Sequence, residues 1–249
     1  MGYASLGMVV VAGVLAGFVQ GVSGFGAGII AMTVLPLSYG VVTGSAISVS
    51  MGLPFLVSMV WRYRAHVRPL QAVAPALLFM AASSVCVLVA RAVDATLLKG
   101  ALGAFLVVLS LYFLFVRRAE GSAAMGLVPS LACILISGAC DGLFGIGGPL
   151  MVVYYLARTS GKRAYLGTLQ LFFLVTTIWG VSFRAFQGII VPAIVPVIVV
   201  AAAAQLAGQQ VANRVVDRLD TAMIRRVTYV LIGLAGLYYL AQTLLAAAL

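Results

Sequence analysis

Two glycine-rich stretches hold the residues best suited to chemistry in this chain. Gly17-Phe18-Val19-Gln20-Gly21-Val22-Ser23-Gly24-Phe25-Gly26-Ala27-Gly28 and Gly138-Ala139-Cys140-Asp141-Gly142-Leu143-Phe144-Gly145-Ile146-Gly147-Gly148-Pro149 repeat one pattern 121 residues apart. Glycine clusters interrupt helices, and glycine lets backbone approach a ligand closely. A helix restarting after such a break presents unpaired N–H groups and the positive end of its dipole, which bind an anion without lysine or arginine. Neither stretch contains a basic residue. Pro149, matching Gly28, suits a first helical turn because no N–H is needed there. The candidate binding residues are therefore Gly21, Ser23, Gly24, Gly26 and Gly28 with Gly142, Gly145, Gly147 and Gly148. Ser48, Thr168 and Gln170, early in the next apolar segment of each half, are candidates to complete the coordination. A hydroxyl there, Ser45 included, equally serves to bond its own helix backbone.

Asp141 is the only carboxylate inside an apolar segment, and it takes the place of Gln20 in the first copy. An acid at membrane depth is costly and marks a functional site by default. It is the candidate for proton coupling, taking up a proton as an anion binds. The competing reading is a structural acid bonded to backbone at the turn. Gly13, Gly17 and Gly21 recur every fourth residue, as do Gly138 and Gly142, a spacing that also serves close helix packing. That role is assigned to Gly13, Gly17 and Gly138.

Enzymatic and metal chemistry find little support. Gly21-Val22-Ser23-Gly24 reads as GxSG, but a nucleophilic serine needs a nearby base. His66, the single histidine, lies in a basic connection, and Phe144 stands where the second copy would need the serine. One histidine also rules out HExxH, and Cys86, Cys133 and Cys140 form no CxxC pair, so neither metal nor cofactor is expected.

The elements that hold these residues are apolar. Of 249 residues, 64% are hydrophobic and 8% charged, far too little polar surface for a water-soluble domain. Apolar segments fall near 4–38, 44–61, 70–90, 97–116, 124–157, 164–183, 189–212 and 223–248, the spacing of a polytopic membrane protein. The net charge of +10 sits in short connections, where lipid headgroups rather than nucleic acid are the partners. Arg64-Ala65 matches Arg184-Ala185, and Asp94, Leu111 and Tyr112 match Asp220, Leu237 and Tyr238 at an offset of 126. The expected organisation is one all-α integral-membrane domain made of two repeats, 1–118 and 119–249.

The first and fifth segments are longer than one span and contain the glycine clusters. If each enters the membrane and returns, the connections at 62–68, 117–118, 158–163 and 214–226 share one side with twelve basic residues, leaving three opposite. The positive-inside bias favours this arrangement, with inverted repeats, re-entrant hairpins and both termini outside. Trp61, Tyr63, Tyr154, Tyr155 and Trp179 are expected at the interfaces, and Arg64 and Arg184 at membrane boundaries.

At Gly21–Gly28, Gly142–Pro149 and Gly167-Thr168-Leu169-Gln170-Leu171-Phe172-Phe173 the chain resembles the TauE/SafE family of sulfite exporters over nearly its whole length. That resemblance implies movement of sulfite, sulfonates, thiosulfate or related small anions across a bacterial inner membrane. Ala27 and Gly28 of the first motif face Gly148 and Pro149 of the second, so unequal roles for the hairpins are expected. The expected function is a gradient-driven anion transporter, with a channel-like facilitator and an intramembrane serine protease as alternatives. Its partners would be the small anion, the bilayer and, as a candidate assembly, a second copy of the chain.

Overall fold

The structure, a computed structural model, describes residues 3–23, 26–115, 125–159, 161–215 and 221–248. Among the described residues eleven α-helices run in the order α1 (Tyr3–Ser23), α2 (Ala27–Val34), α3 (Pro36–Met51), α4 (Leu53–Tyr63), α5 (Pro69–Ala92), α6 (Ala95–Phe115), α7 (Leu127–Phe144), α8 (Gly148–Arg158), α9 (Lys162–Phe186), α10 (Val195–Val215) and α11 (Thr221–Ala248). Among the described residues there is no strand. Seven helical stretches of the described residues are long and apolar enough to cross a membrane, including the nearly continuous run Pro36–His66 that joins α3 to α4. Large apolar side chains such as Leu70, Val128 and Phe186 lie open on the outside, as a bilayer-facing surface requires.

Each glycine stretch breaks a helix rather than lying in an unbroken rod. α1 is described as far as Ser23 and α2 starts at Ala27, with Gly26 at φ 100°. α7 stops at Phe144, and Gly145 at φ 68° closes it before α8 begins at Gly148. These left-handed values are where glycine alone is unstrained. Both breaks turn the chain back along itself. Ser38 Oγ donates to Met8 Sδ at 3.2 Å, and Arg158 Nη2 donates to Ser130 Oγ at 3.2 Å. From Met8 to Ser23, a helix rising 1.5 Å per residue descends about 22 Å before the break.

The connections sort by end of the bundle. Arg91 bonds Gln187, Lys99 bonds Gln242 and Ser38 meets Met8, so 38–40, 91–99, the 187 turn and both outermost helices gather at one end. At the other end the Arg68 amide donates to Thr168 and the Tyr155 hydroxyl to the Gln71 carbonyl.

The most extensive helix packing joins the two halves. α1 packs along α10, α5 along α7, and α6 against α11. Glycine allows the close approach: a Cβ on Gly17 would lie 1.9 Å from the Gln205 carbonyl oxygen, and one on Gly138 would lie 2.6 Å from that of Phe79. Gln205 and Phe79 are themselves 126 residues apart, the offset of the later matches between the halves.

The interface aromatics divide. Trp61 is 70% exposed and Trp179 45%. Tyr154 and Tyr155 are instead buried in a core cluster with Phe79 and Phe172, which corrects their expected place at the interface. α8 folds back between α7 and α9, and that covers the face of the helix carrying both rings.

Candidate functional site

The two breaks meet. Gly26, Ala27, Gly28 and Ile29 from the first and Gly145, Ile146, Gly147, Gly148 and Pro149 from the second line one cavity of about 110 Å³. Their contact is direct, since a Cβ on Gly28 would stand 2.8 Å from the Gly145 carbonyl oxygen and 3.6 Å from Ser48 Oγ. α2 starts at this cavity with Gly26 as its cap, and α8 starts there with Gly147 as its cap and Pro149 in its first turn. The opening amides of both helices have no carbonyl one turn back, so the cavity receives two positive helix ends.

The wall also carries polar side chains. Ser48 is buried, lines the cavity, and its hydroxyl has no partner among the described residues. Gln205 Nε2 donates to Gln20 Oε1 at 2.7 Å, tying α10 to α1, while Gln205 Oε1 is buried without a partner. On the opposite wall Ser83 Oγ donates to Asp141 Oδ2 at 2.8 Å, tying α5 to α7. Asp141 and Gln20 thus hold matching places on the two broken helices, one charged and one neutral. Thr176 and Thr177 complete the polar lining, and Phe79, Phe173 and Leu56 supply apolar wall.

Arg184 overturns its expected place at the membrane boundary. Its side chain is 1% exposed, and Nη1 lies 3.8 Å from Asp141 Oδ2. Nη2 donates to the Asp141 carbonyl oxygen at 2.7 Å. That same oxygen accepts the Gly145 N–H at 2.7 Å, so two donors pin the end of α7. The matching Arg64 stays exposed and stacks over Trp61, its Cζ 4.7 Å from the ring centre. The inward turn follows from what comes after Arg184: the Ile189 and Ile190 amides fold back onto its carbonyl and close the helix end over it.

The remaining sequence candidates separate. The Gly145 amide caps α7 and is not free for a ligand, although its carbonyl reaches the cavity. Gly21 and Gly142 lie in helix contacts, against Ala212 and against the Ser83 carbonyl, off the cavity wall. Thr168 is buried and accepts the Arg68 amide, and Gln170 is buried without a partner; neither lines the cavity. Ser45 bonds the Val42 carbonyl in its own helix. Ser23 is the last described residue of α1, and Gly24 lies outside the described residues. Sequence reasoning missed Gln205 and the pairing role of Arg184. The signal for Arg184 was available: a lone acid in an apolar segment needs a counter-charge, and Arg184 stands outside every basic cluster. For Gln205 the only signal was an amide within an alanine-rich apolar run.

A family model described as "Sulfite exporter TauE/SafE" matches residues 9–239 of the chain. No curated protein matches the chain, and no solved structure does.

Proposed function

The chain belongs to the TauE/SafE sulfite exporter family, a family of membrane transporters and not of enzymes, and from that premise we propose that it is a gradient-driven carrier of small sulfur-containing anions. One observation carries the reading: the starts of α2 and α8 converge on a single cavity where Gly28 and Gly145 touch. The anion sits between the two breaks. It accepts hydrogen bonds from the opening amides around Gly26, Gly28, Gly147 and Gly148 and from the Ser48 hydroxyl. Arg184 balances the Asp141 charge, so the carboxylate on the wall does not repel the guest.

The repeats run in opposite senses through a bacterial inner membrane, with both termini outside, and one repeat moves against the other to expose the cavity alternately. Three features support this. The break-bearing hairpins close at opposite ends of the bundle. The pairings α1 with α10 and α5 with α7 exchange when the halves are exchanged. The end without the basic clusters also gathers both outermost helices. Asp141 is the proton-coupling group, set where an entering anion changes the charge it faces.

Proteoliposomes offered sulfite, sulfoacetate, thiosulfate and carboxylate analogues test the reading. Saturable uptake of a sulfur anion, accelerated by the same anion trapped inside, is the expected result. Flux that neither saturates nor shows counterflow would overturn the carrier.

A further inference from the structure

A second cavity, of about 360 Å³, opens where α5 gives way to α6, and α3 is kinked beside it. Gly40, at φ 71° and ψ 171°, interrupts α3, so the helical segment from Val41 to Met51 starts afresh at that cavity. Its first residues, Val41, Val42 and Thr43, line the wall. The amides that open the segment have lost their carbonyls one turn back. Arg91 and Lys99 line the same cavity.

Both cations are held by neutral groups only. Arg91 Nη1 donates to the Gln187 carbonyl at 2.6 Å and to its side-chain oxygen at 2.9 Å. Lys99 bonds the Gln242 side-chain oxygen and lies 5.6 Å from the centre of the Tyr239 ring. Among the described residues neither has an acidic partner within 4 Å. The nearest acid in sequence, Asp94, does not line the wall. Its carboxylate accepts the Leu97 and Thr96 amides at the start of α6, which hold it below the usual carboxylate range. Tyr39 adds a buried hydroxyl with no partner among the described residues.

The geometry points to a second anion site, a vestibule in which Arg91, Lys99 and the opening amides after Gly40 hold a small oxyanion before or after it occupies the central cavity. It rests on the proposed transport only for the identity of the anion. α2 and the first turn of α3 lead from Ala27 at the central cavity to Gly40, a separation of about 20 Å at 1.5 Å per residue. Two cations facing one concave wall focus field lines and concentrate anions locally. The site recognises an oxyanion with exposed oxygens, from free sulfite or from the phosphate of a lipid headgroup.

Equilibrium dialysis of the full chain in neutral detergent, with radiolabelled sulfite under argon, tests it. Wild type should retain two sulfites per chain, and Arg91→Gln/Lys99→Gln one. The charge-preserving Arg91→Lys/Lys99→Arg should keep two, which separates lost charge from lost fold. Gly28→Val, which obstructs the central cavity, should keep only the vestibule site. One sulfite lost in Arg91→Gln/Lys99→Gln but kept in Gly28→Val would uphold the vestibule and sink the central reading. The reverse pattern, or two sites in every variant, would overturn the vestibule alone, and no sulfite bound by wild type would overturn both. Displacement of the vestibule sulfite by phosphatidylglycerol but not phosphatidylcholine assigns the site to lipid phosphate; retention assigns it to the free anion.

Discussion

Arg184 and Asp141 form a charge pair that only one half of the molecule possesses. Removing one member of a buried pair leaves the other uncompensated, at a cost of about 3–5 kcal/mol. Arg184→Gln should therefore lower the thermal unfolding midpoint in detergent markedly, and Arg184→Gln with Asp141→Asn should recover part of the loss. Equal loss in the single and double variants would show that the charge pairing contributes nothing. Asp141→Asn alone, with Arg184 retained, should make transport in proteoliposomes independent of pH. Unchanged pH dependence would remove Asp141 from the coupling role. Asp141 was legible because an acid in an apolar run is rare. Arg184 was not, because its match with Arg64 at the end of an apolar segment looked like a boundary marker. Which way the last turn of α9 faces is decided by the fold of 187–190 over it, a tertiary fact that spacing does not carry.

At the scale of elements, glycines sort into two kinds. Those every fourth residue, Gly13, Gly17, Gly21, Gly138 and Gly142, bring α1 and α7 against α10 and α5. Gly26 and Gly145, at positive φ in the two breaks, start or end helices. Gly17→Leu would drive a side chain into the α10 backbone, where even a Cβ falls 1.9 Å from the Gln205 carbonyl oxygen. It should abolish stable folding, seen as loss of a monodisperse peak from detergent. Gly28→Val acts differently. Its Cβ meets the Gly145 carbonyl at 2.8 Å, so it forces the two breaks apart while every long helix keeps its packing. Transport should fall at least about a hundredfold, as misplacement by an ångström can do, with the membrane level of the protein unchanged. The breaks themselves were legible from glycine clustering. The packing role of Gly21 and Gly142 was not, because each lies in both patterns, the every-fourth spacing and the cluster. Only the facing helix, Ala212 for one and Ser83 for the other, decides between them.

For the whole molecule, the all-helical, multi-span character and the order of the apolar segments followed from composition. The meeting of the two breaks could not be read from either stretch alone, because it depends on α1 docking on α10 and α7 on α5. If the hairpins enter from opposite faces, single cysteines replacing Gly40 and Lys162, in a background lacking Cys86, Cys133 and Cys140, should react with impermeant reagents from opposite sides. Reaction from the same side would contradict inversion.

Transport by this chain depends on an anion resting between the two helix starts, against Ser48. Ser48→Cys in the same cysteine-free background, treated with a thiol reagent in the presence and absence of sulfoacetate, measures this most directly. Sulfoacetate should slow the labelling in proportion to its occupancy, while a neutral analogue of equal size should not. Labelling at the same rate with or without saturating sulfoacetate, in protein that still transports it, would show that the anion crosses elsewhere.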